Sequence, residues 1–215
     1  LKDLQIQGIS QVLDKECIMT IIEHIIQQTL IGQNDSDQLS AAIFGIALTS
    51  RGKHFLELGV RSGHTTVPLL AAAALLNGKV TSVDMDTPSF VCPNELSKFW
   101  NFCKSEALQF LQNNKQRYDL IFIDDWHDGI HVKKELDLIE PYCDKSTIIL
   151  LHDLMYGFKN PDYNLSDDGE KIGWGVSGEF ANGGPYRAVA SLNSSKWEFA
   201  TIPFNNGLTI LRKKD

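Results

Sequence analysis

HFLELGVRSGHTTVPLLAAAALLNG, residues 54–78, is the stretch that decides the fold. HFLELG (54–59) is short, apolar-rich and ends in glycine, as a buried strand does. HTTVPLLAAAALLNG (64–78) is built of helix formers, with Pro68 tolerated in the first turn and Gly78 placed to end the helix. Gly59 and Gly63 lie between them and permit a tight turn and close backbone approach to a ligand. A strand, a glycine loop and a helix form the opening unit of an open α/β sheet, whose ligand site lies beyond the carboxyl ends of the strands.

The same alternation continues on both sides. KVTSVDM (79–85) reads as a strand, PNELSKFW (93–100) as a helix with Pro93 near its start, NFCK (101–104) as a very short strand and SEALQFLQNN (105–114) as a helix. YDLIFID (118–124) is a strand, GIHVKKELDLIEPY (129–142) a helix and STIILLHD (146–153) a strand. A long connection, 156–184, precedes a helix near 185–193. KWEFATIPF and LTILRKK then flank Asn205-Asn206-Gly207, a hairpin signal. Upstream, Leu13, Ile18, Ile21, Ile22, Ile25, Ile26 and Leu30 recur at helical spacing up to Gly32, and 38–50 reads as a second helix opened by Asp35, Ser36 or Asp37. The expectation is one α/β domain over 1–215. A helical extension (1–50) precedes a Rossmann-like, doubly wound core (51–215), mostly parallel with a C-terminal antiparallel hairpin.

Composition narrows the function. A net charge of −7 disfavours a nucleic-acid substrate. Arg212, Lys213 and Lys214 read as a solvated tail. Cys17, Cys92, Cys103 and Cys143 form no CxxC pair and read as free thiols in a reducing cytoplasm. No apolar run approaches a membrane span, and no signal peptide is visible, so a cytoplasmic location is expected. The glycine spacing is G-x-x-x-G, neither the G-x-G-x-x-G of a dinucleotide site nor a Walker loop. An acid at the end of the second strand, Asp84, suits the two hydroxyls of a ribose. Asp86 suits a turn or cap.

Glu57-Leu58-Gly59-x-x-x-Gly63, then Asp84, then YDLIFID, resemble the class I S-adenosylmethionine-dependent methyltransferases. The closing hairpin fits their seven-stranded sheet, and the resemblance covers roughly 50–212. IDDWHD is similar to the catechol O-methyltransferase pattern Leu-Asp-His-Trp-Lys-Asp. FIDDWHDGIHV…LLHD is similar to the bacterial FIDGDHSYEGV…LLHD group, which includes macrocin-type sugar O-methyltransferases. In both, Asp124 matches the acid at the strand end, and His127 falls where one group has Lys and the other His. The resemblance implies that Glu57, Gly59 and Gly63 line the methionine end of the cofactor, that Arg61, Ser62, Thr65, Met85 and Asp124 also belong to its site, and that Asp124 acts with His127 in catalysis. It places Asp84 on the ribose, Ser105 and Glu106 by the adenine amino group, and Trp126 against the adenine ring. Ser105 also suits a helix N-cap.

Methyl transfer from a sulfonium needs a positioned acceptor and help in removing its proton. His127 has the ordinary pKa for that task, with His131, one helical turn on, as an understudy. Asp125 and Asp128 read as solvated or capping. Asp124 and Asp153 are implied as ligands of an assisting Mg²⁺. The catechol pattern continues Asp-Asn where this chain has Asp153-Leu154, so one ligand is missing. Water, His152, Asp162, Asp167 or Asp168 are its candidate replacements. Tyr156, Trp174 and the N-terminal helices are candidates to shape the pocket of a small hydroxylated acceptor, and the same helices offer a surface for a homodimer. Two other classes stay open: a non-catalytic S-adenosylmethionine-binding protein and a nicotinamide-dependent oxidoreductase on a related sheet.

Overall fold

The structure is a computed structural model that describes residues 15–155 and 182–214. Two helices, α1 (Lys15–Ile31) and α3 (Ser40–Ser50), flank a one-turn helix α2 (Asp35–Gln38). The alternating part follows: β1 (His54–Leu58), α4 (Thr66–Leu76), β2 (Lys79–Asp84), α5 (Asn94–Ser97), β3 (Trp100–Lys104), α6 (Ala107–Asn113), β4 (Leu120–Ile123), α7 (Gly129–Ile139) and β5 (Ile148–His152). Helix α8 (Gly184–Ala190) precedes the hairpin β6 (Trp197–Ile202) and β7 (Leu208–Lys213).

These strands form one seven-stranded sheet in the order β3-β2-β1-β4-β5-β7-β6. The pairs from β3 to β5 are parallel, and β7 is antiparallel to both β5 and β6. Every residue of β4 is buried, as is every residue of β1 after His54. That burial explains continuous apolar runs in place of alternation: helices cover both faces. On one face Leu111, Val132, Leu136, Ala188 and Val189 pack against β1, β4 and β5. On the other, Ile43, Ala47, Leu69 and Leu70 pack on Phe55, Phe122 and Leu150. Helix α4 is buried from Thr66 to Ala74 because α1 and α3 cover its outer side, so its sequence shows no polar face. The N-terminal helices are thus a further layer over the core.

Several boundaries differ from the sequence reading. The apolar run from 38 to 50 is broken at Leu39, which is fully buried between α2 and α3. Asn77, in the left-handed conformation (φ 53°), closes α4 in place of Gly78. Trp100 belongs to β3, where its indole N–H donates to Ser82 Oγ (2.9 Å). Glu106, not Ser105, caps α6, accepting from the backbone N–H groups of Leu108 and Gln109. Arg212 and Lys213 are strand residues rather than a tail: Arg212 pairs with Glu198, and Lys213 Nζ donates to the Glu140 carbonyl. Leu13 and the 156–181 part of the long connection, with Tyr156, Asp162, Asp167, Asp168 and Trp174, lie outside the described residues.

β1 neighbours β2 on one side and β4 on the other, so the chain leaves it in opposite directions. The crevice at this reversal collects the loops after β1, β2, β4 and β5.

Candidate active site

The loop after β1 is fixed by two close approaches. Gly59 has φ 90°, and a Cβ there would lie 2.4 Å from the Asp124 carbonyl oxygen, so only glycine lets the ends of β1 and β4 meet. Gly63 has φ 79°, and a Cβ would lie 2.3 Å from the Phe90 ring. Asp84 ties this loop to β2. Its Oδ2 accepts from the backbone N–H groups of Val60 (2.9 Å) and Arg61 (3.1 Å), and Oδ1 accepts from that of Asp86 (2.9 Å). Burial by itself raises the Asp84 carboxyl, but these three donors hold it below its ordinary value.

Glu57 sits behind the loop. It is fully buried and accepts from Thr65 Oγ1 (2.8 Å), Thr66 Oγ1 (2.9 Å) and Ser82 Oγ (2.5 Å). Burial outweighs those hydrogen bonds and pushes its carboxyl up to about 7. The resemblance puts Glu57 and Gly63 along the methionine end of a cofactor. Neither borders the hollows described below, because both are taken up in holding the loop, Glu57 by buried hydroxyls and Gly63 by Phe90.

Two hollows open at the crevice. The larger, of about 680 Å³, is bordered by Gly59, Arg61 and Ser62, by Asp84 and Met85 beyond β2, by Ser105 and Glu106 before α6, and by Asp124, Asp125, Trp126 and His131 beyond β4. That is the size range of small-molecule and cofactor sites. The smaller, of about 250 Å³, is bordered by Asn34, Asp35 and Ser36 from the N-terminal layer, by Gly59 to Ser62, by His64 and Thr65, and by Asp124. Gly59, Arg61, Ser62 and Asp124 border both. Ten of the twelve residues expected around a cofactor therefore surround this pair of hollows. In the sequence Asp35 and Ser36 read only as a helix start and Asn34 has no role, because it is the packing of α1 and α3 on α4 that brings them here.

Beyond β4 and β5 lies a cluster of acids and imidazoles. His127 Nε2 is 3.2 Å from Asp124 Oδ1 and 3.1 Å from Asp153 Oδ2. His127 is 5% exposed and borders neither hollow, so it meets the crevice only through the carboxylates it touches. His152 Nδ1 also meets Asp124 Oδ1 (3.2 Å), while its Nε2–H donates to the Asn205 carbonyl (3.0 Å). Burial lowers the His152 imidazole, but the Asp124 charge and hydrogen bond overcome it and lift the ring to about 9. Asp124 is correspondingly held well below the usual carboxylate range: burial opposes this, and the two imidazoles prevail. Asp153 takes a left-handed backbone (φ 63°), and its buried Oδ1 accepts no hydrogen bond among the described residues. Burial, only partly countered by His152 and His127, raises it.

One oxygen each of Asp124 and Asp153 and a nitrogen of His127 converge within 4.8 Å of one another. Ligands about 2.1 Å from a six-coordinate cation stand about 3 Å apart along each edge, close to the 3.1 and 3.2 Å found here. The donor set therefore fits a divalent cation, for which His127 would be the third donor that Leu154 cannot be. Leu154 is 3% exposed and packs in the apolar core. The imidazole makes the set less selective for Mg²⁺ than an all-oxygen one.

Asp128 caps α7, accepting from the backbone N–H groups of Ile130 and His131. Asp125 is not solvated: its Oδ2 lies 3.2 Å from His131 Nε2.

Residues 56–154 match the family model described as a methyltransferase domain. Over those residues the chain is a methyltransferase domain. No curated protein matches the chain significantly. The fold of this methyltransferase is shared with solved structures of low identity. The Podospora anserina methyltransferase PaMTH1, solved with SAH bound, is 16% identical over 91% of this chain and 88% of that one, with a TM-score of 0.62. A putative O-methyltransferase from Klebsiella pneumoniae is 14% identical over 95% and 93%, with a TM-score of 0.61. The O-methyltransferase TomG from Streptomyces achromogenes, solved with SAM, is 12% identical over 95% and 92%, with a TM-score of 0.55.

Proposed function

We propose that this methyltransferase transfers the methyl group of S-adenosylmethionine to a hydroxyl of a small molecule. The observation that carries this reading is the pair of hollows meeting at Gly59, Arg61, Ser62 and Asp124. A nucleoside in the larger hollow lies between Asp84 with Met85 and Trp126, with Ser105 and Glu106 at its base end. The backbone at Gly59 to Ser62, ahead of the α4 N-terminus, receives the amino-acid end. The sulfonium then stands beside Asp124, and the smaller hollow holds the acceptor against Asn34, Asp35, Ser36 and His64. Fixing the two partners in line can supply up to roughly 7–11 kcal/mol of the barrier.

Asp124 is the cluster member that reaches both hollows, so it accepts the hydrogen bond of the acceptor hydroxyl. The released proton passes to the coupled set Asp124, His127 and Asp153, whose titration belongs to the group rather than to one residue. His127 acts in the proton transfer through Asp124. When a divalent cation such as Mg²⁺ is bound, Asp124, His127 and Asp153 would hold it, and it would lower the pKa of a hydroxyl on it.

The test is calorimetry with S-adenosylmethionine and its demethylated product, followed by transfer of labelled methyl to catechols and sugars with Mg²⁺ or with chelator. Binding of both nucleosides, lost in Asp84→Ala, with turnover lost in His127→Ala, is the expected result. Absence of any binding heat refutes the cofactor. Binding with no turnover on any acceptor leaves a cofactor-binding protein without catalysis.

A further inference from the structure

Asp124 and Asp125 are adjacent, and their side chains go to different partners: Asp124 to His127 and His152, Asp125 to His131. On α7, His131 and Glu135 stand at i and i+4, and so share one helix face. That face meets Asp125. His131 Nε2 lies 3.2 Å from Asp125 Oδ2 and 3.5 Å from Glu135 Oε1. One donor atom from each residue falls within 4.8 Å of the others.

Glu135 is fully buried, and neither of its oxygens has a well-formed hydrogen bond among the described residues, His131 Nε2 standing 3.5 Å from Oε1; Asp125 Oδ1 has none either. One imidazole N–H shared between two carboxylates leaves most of their acceptor capacity unmet. Buried carboxylate oxygens without donors call for a cation at their focus.

We propose that Asp125, His131 and Glu135 form a second divalent-cation site, of the zinc type, in the wall of the larger hollow. Ligands at 2.0–2.1 Å from a four-coordinate zinc stand about 3.3 Å apart, and the observed separations of 3.2 and 3.5 Å bracket that edge. Imidazole with two carboxylates and no thiolate suits zinc and its first-row neighbours. Three protein donors leave the fourth position open. Asp125 and His131 border the larger hollow beside Trp126, and Glu135 lies behind them, so the open position faces the hollow. A metal held there ties α7 to the end of β4 and gives that wall a positive centre. The site stands on these three residues alone and does not depend on methyl transfer.

The experiment strips the full chain with chelator, then titrates it with Zn²⁺ in equilibrium dialysis and with Co²⁺, whose visible absorption reports coordination geometry. Crystals soaked in Zn²⁺ are measured at the zinc absorption edge. Wild type is expected to lose one bound equivalent in Glu135→Gln and in His131→Gln, and to keep that equivalent in Asp153→Asn. An anomalous peak is expected between Asp125, His131 and Glu135. If uptake is unchanged in both α7 variants, or all uptake vanishes with Asp153→Asn, the site is refuted. Should the variants fail to fold, wild-type crystals decide: no peak at these residues means that a proton alone joins them, and the proposal falls. If Asp153→Asn loses no equivalent, the cation at the first cluster is refuted and this site is left standing.

Discussion

Replacing Glu57 by Gln removes a carboxyl that the fold buries at a cost. Its pKa rises from an ordinary 4.5 to about 7, because full burial outweighs the hydroxyls of Ser82, Thr65 and Thr66. Between those two values the folded protein binds more proton than the unfolded chain, so stability falls as pH rises through that window. The penalty is nearly absent below about 4.5 and complete above about 7, where it reaches roughly 3 kcal/mol. At pH 5 it is only about 1 kcal/mol by the same linkage. Gln keeps the shape and the acceptor oxygen for the two threonines, and Ser82 Oγ can turn to accept from the amide. Urea unfolding of wild type and Glu57→Gln at pH 5 and pH 8 reads the difference directly. The variant should gain about 2–2.5 kcal/mol relative to wild type between those pH values. A difference that does not change with pH refutes the assignment of a buried, proton-binding carboxyl to Glu57.

Gly63→Ala should destabilise by about 2–4 kcal/mol, from the left-handed backbone and the overlap with Phe90; thermal melts should show partial recovery on adding Phe90→Leu. Asp84→Asn weakens the charge-assisted hold on Val60 and Arg61, so calorimetry should find S-adenosylmethionine bound roughly tenfold more weakly or worse. Asp124→Asn removes the main charge that lifts His152 and leaves only the Asp153 and Asp35 charges against burial; an NMR titration of the ring should then place its pKa clearly below the wild-type value of about 9. In wild type, the stability contributed by His152 is full below about 6.5 and is lost as pH rises through about 9.

The fold was legible because its signals are local. HFLELG, YDLIFID and STIILLHD are apolar runs bounded by turn residues, and helices of ordinary length stand between them. The strand order, with β1 between β2 and β4, is set by the packing of those helices and not by any local signal. The resemblance puts Asp124 and Asp153 at the ends of neighbouring strands, and β4 and β5 do pair side by side. Boundaries failed where a tertiary partner overrode local preference: Trp100 was drawn into β3 beside Ser82, and Leu39 was buried into a break between helices.

The sequence by itself determined the alternating architecture, the glycine loop and the set of acids at the strand ends, since periodicity, glycine and strand length act within a few residues. Only the tertiary structure decided where those side chains point. Glu57 meets Ser82 across two strands, twenty-five residues apart in the chain. His127 turns inward to two carboxylates, and His131 turns with Glu135 toward Asp125. Which neighbour a charged side chain finds depends on burial and on strands and helices packed from distant segments, and no local pattern encodes that.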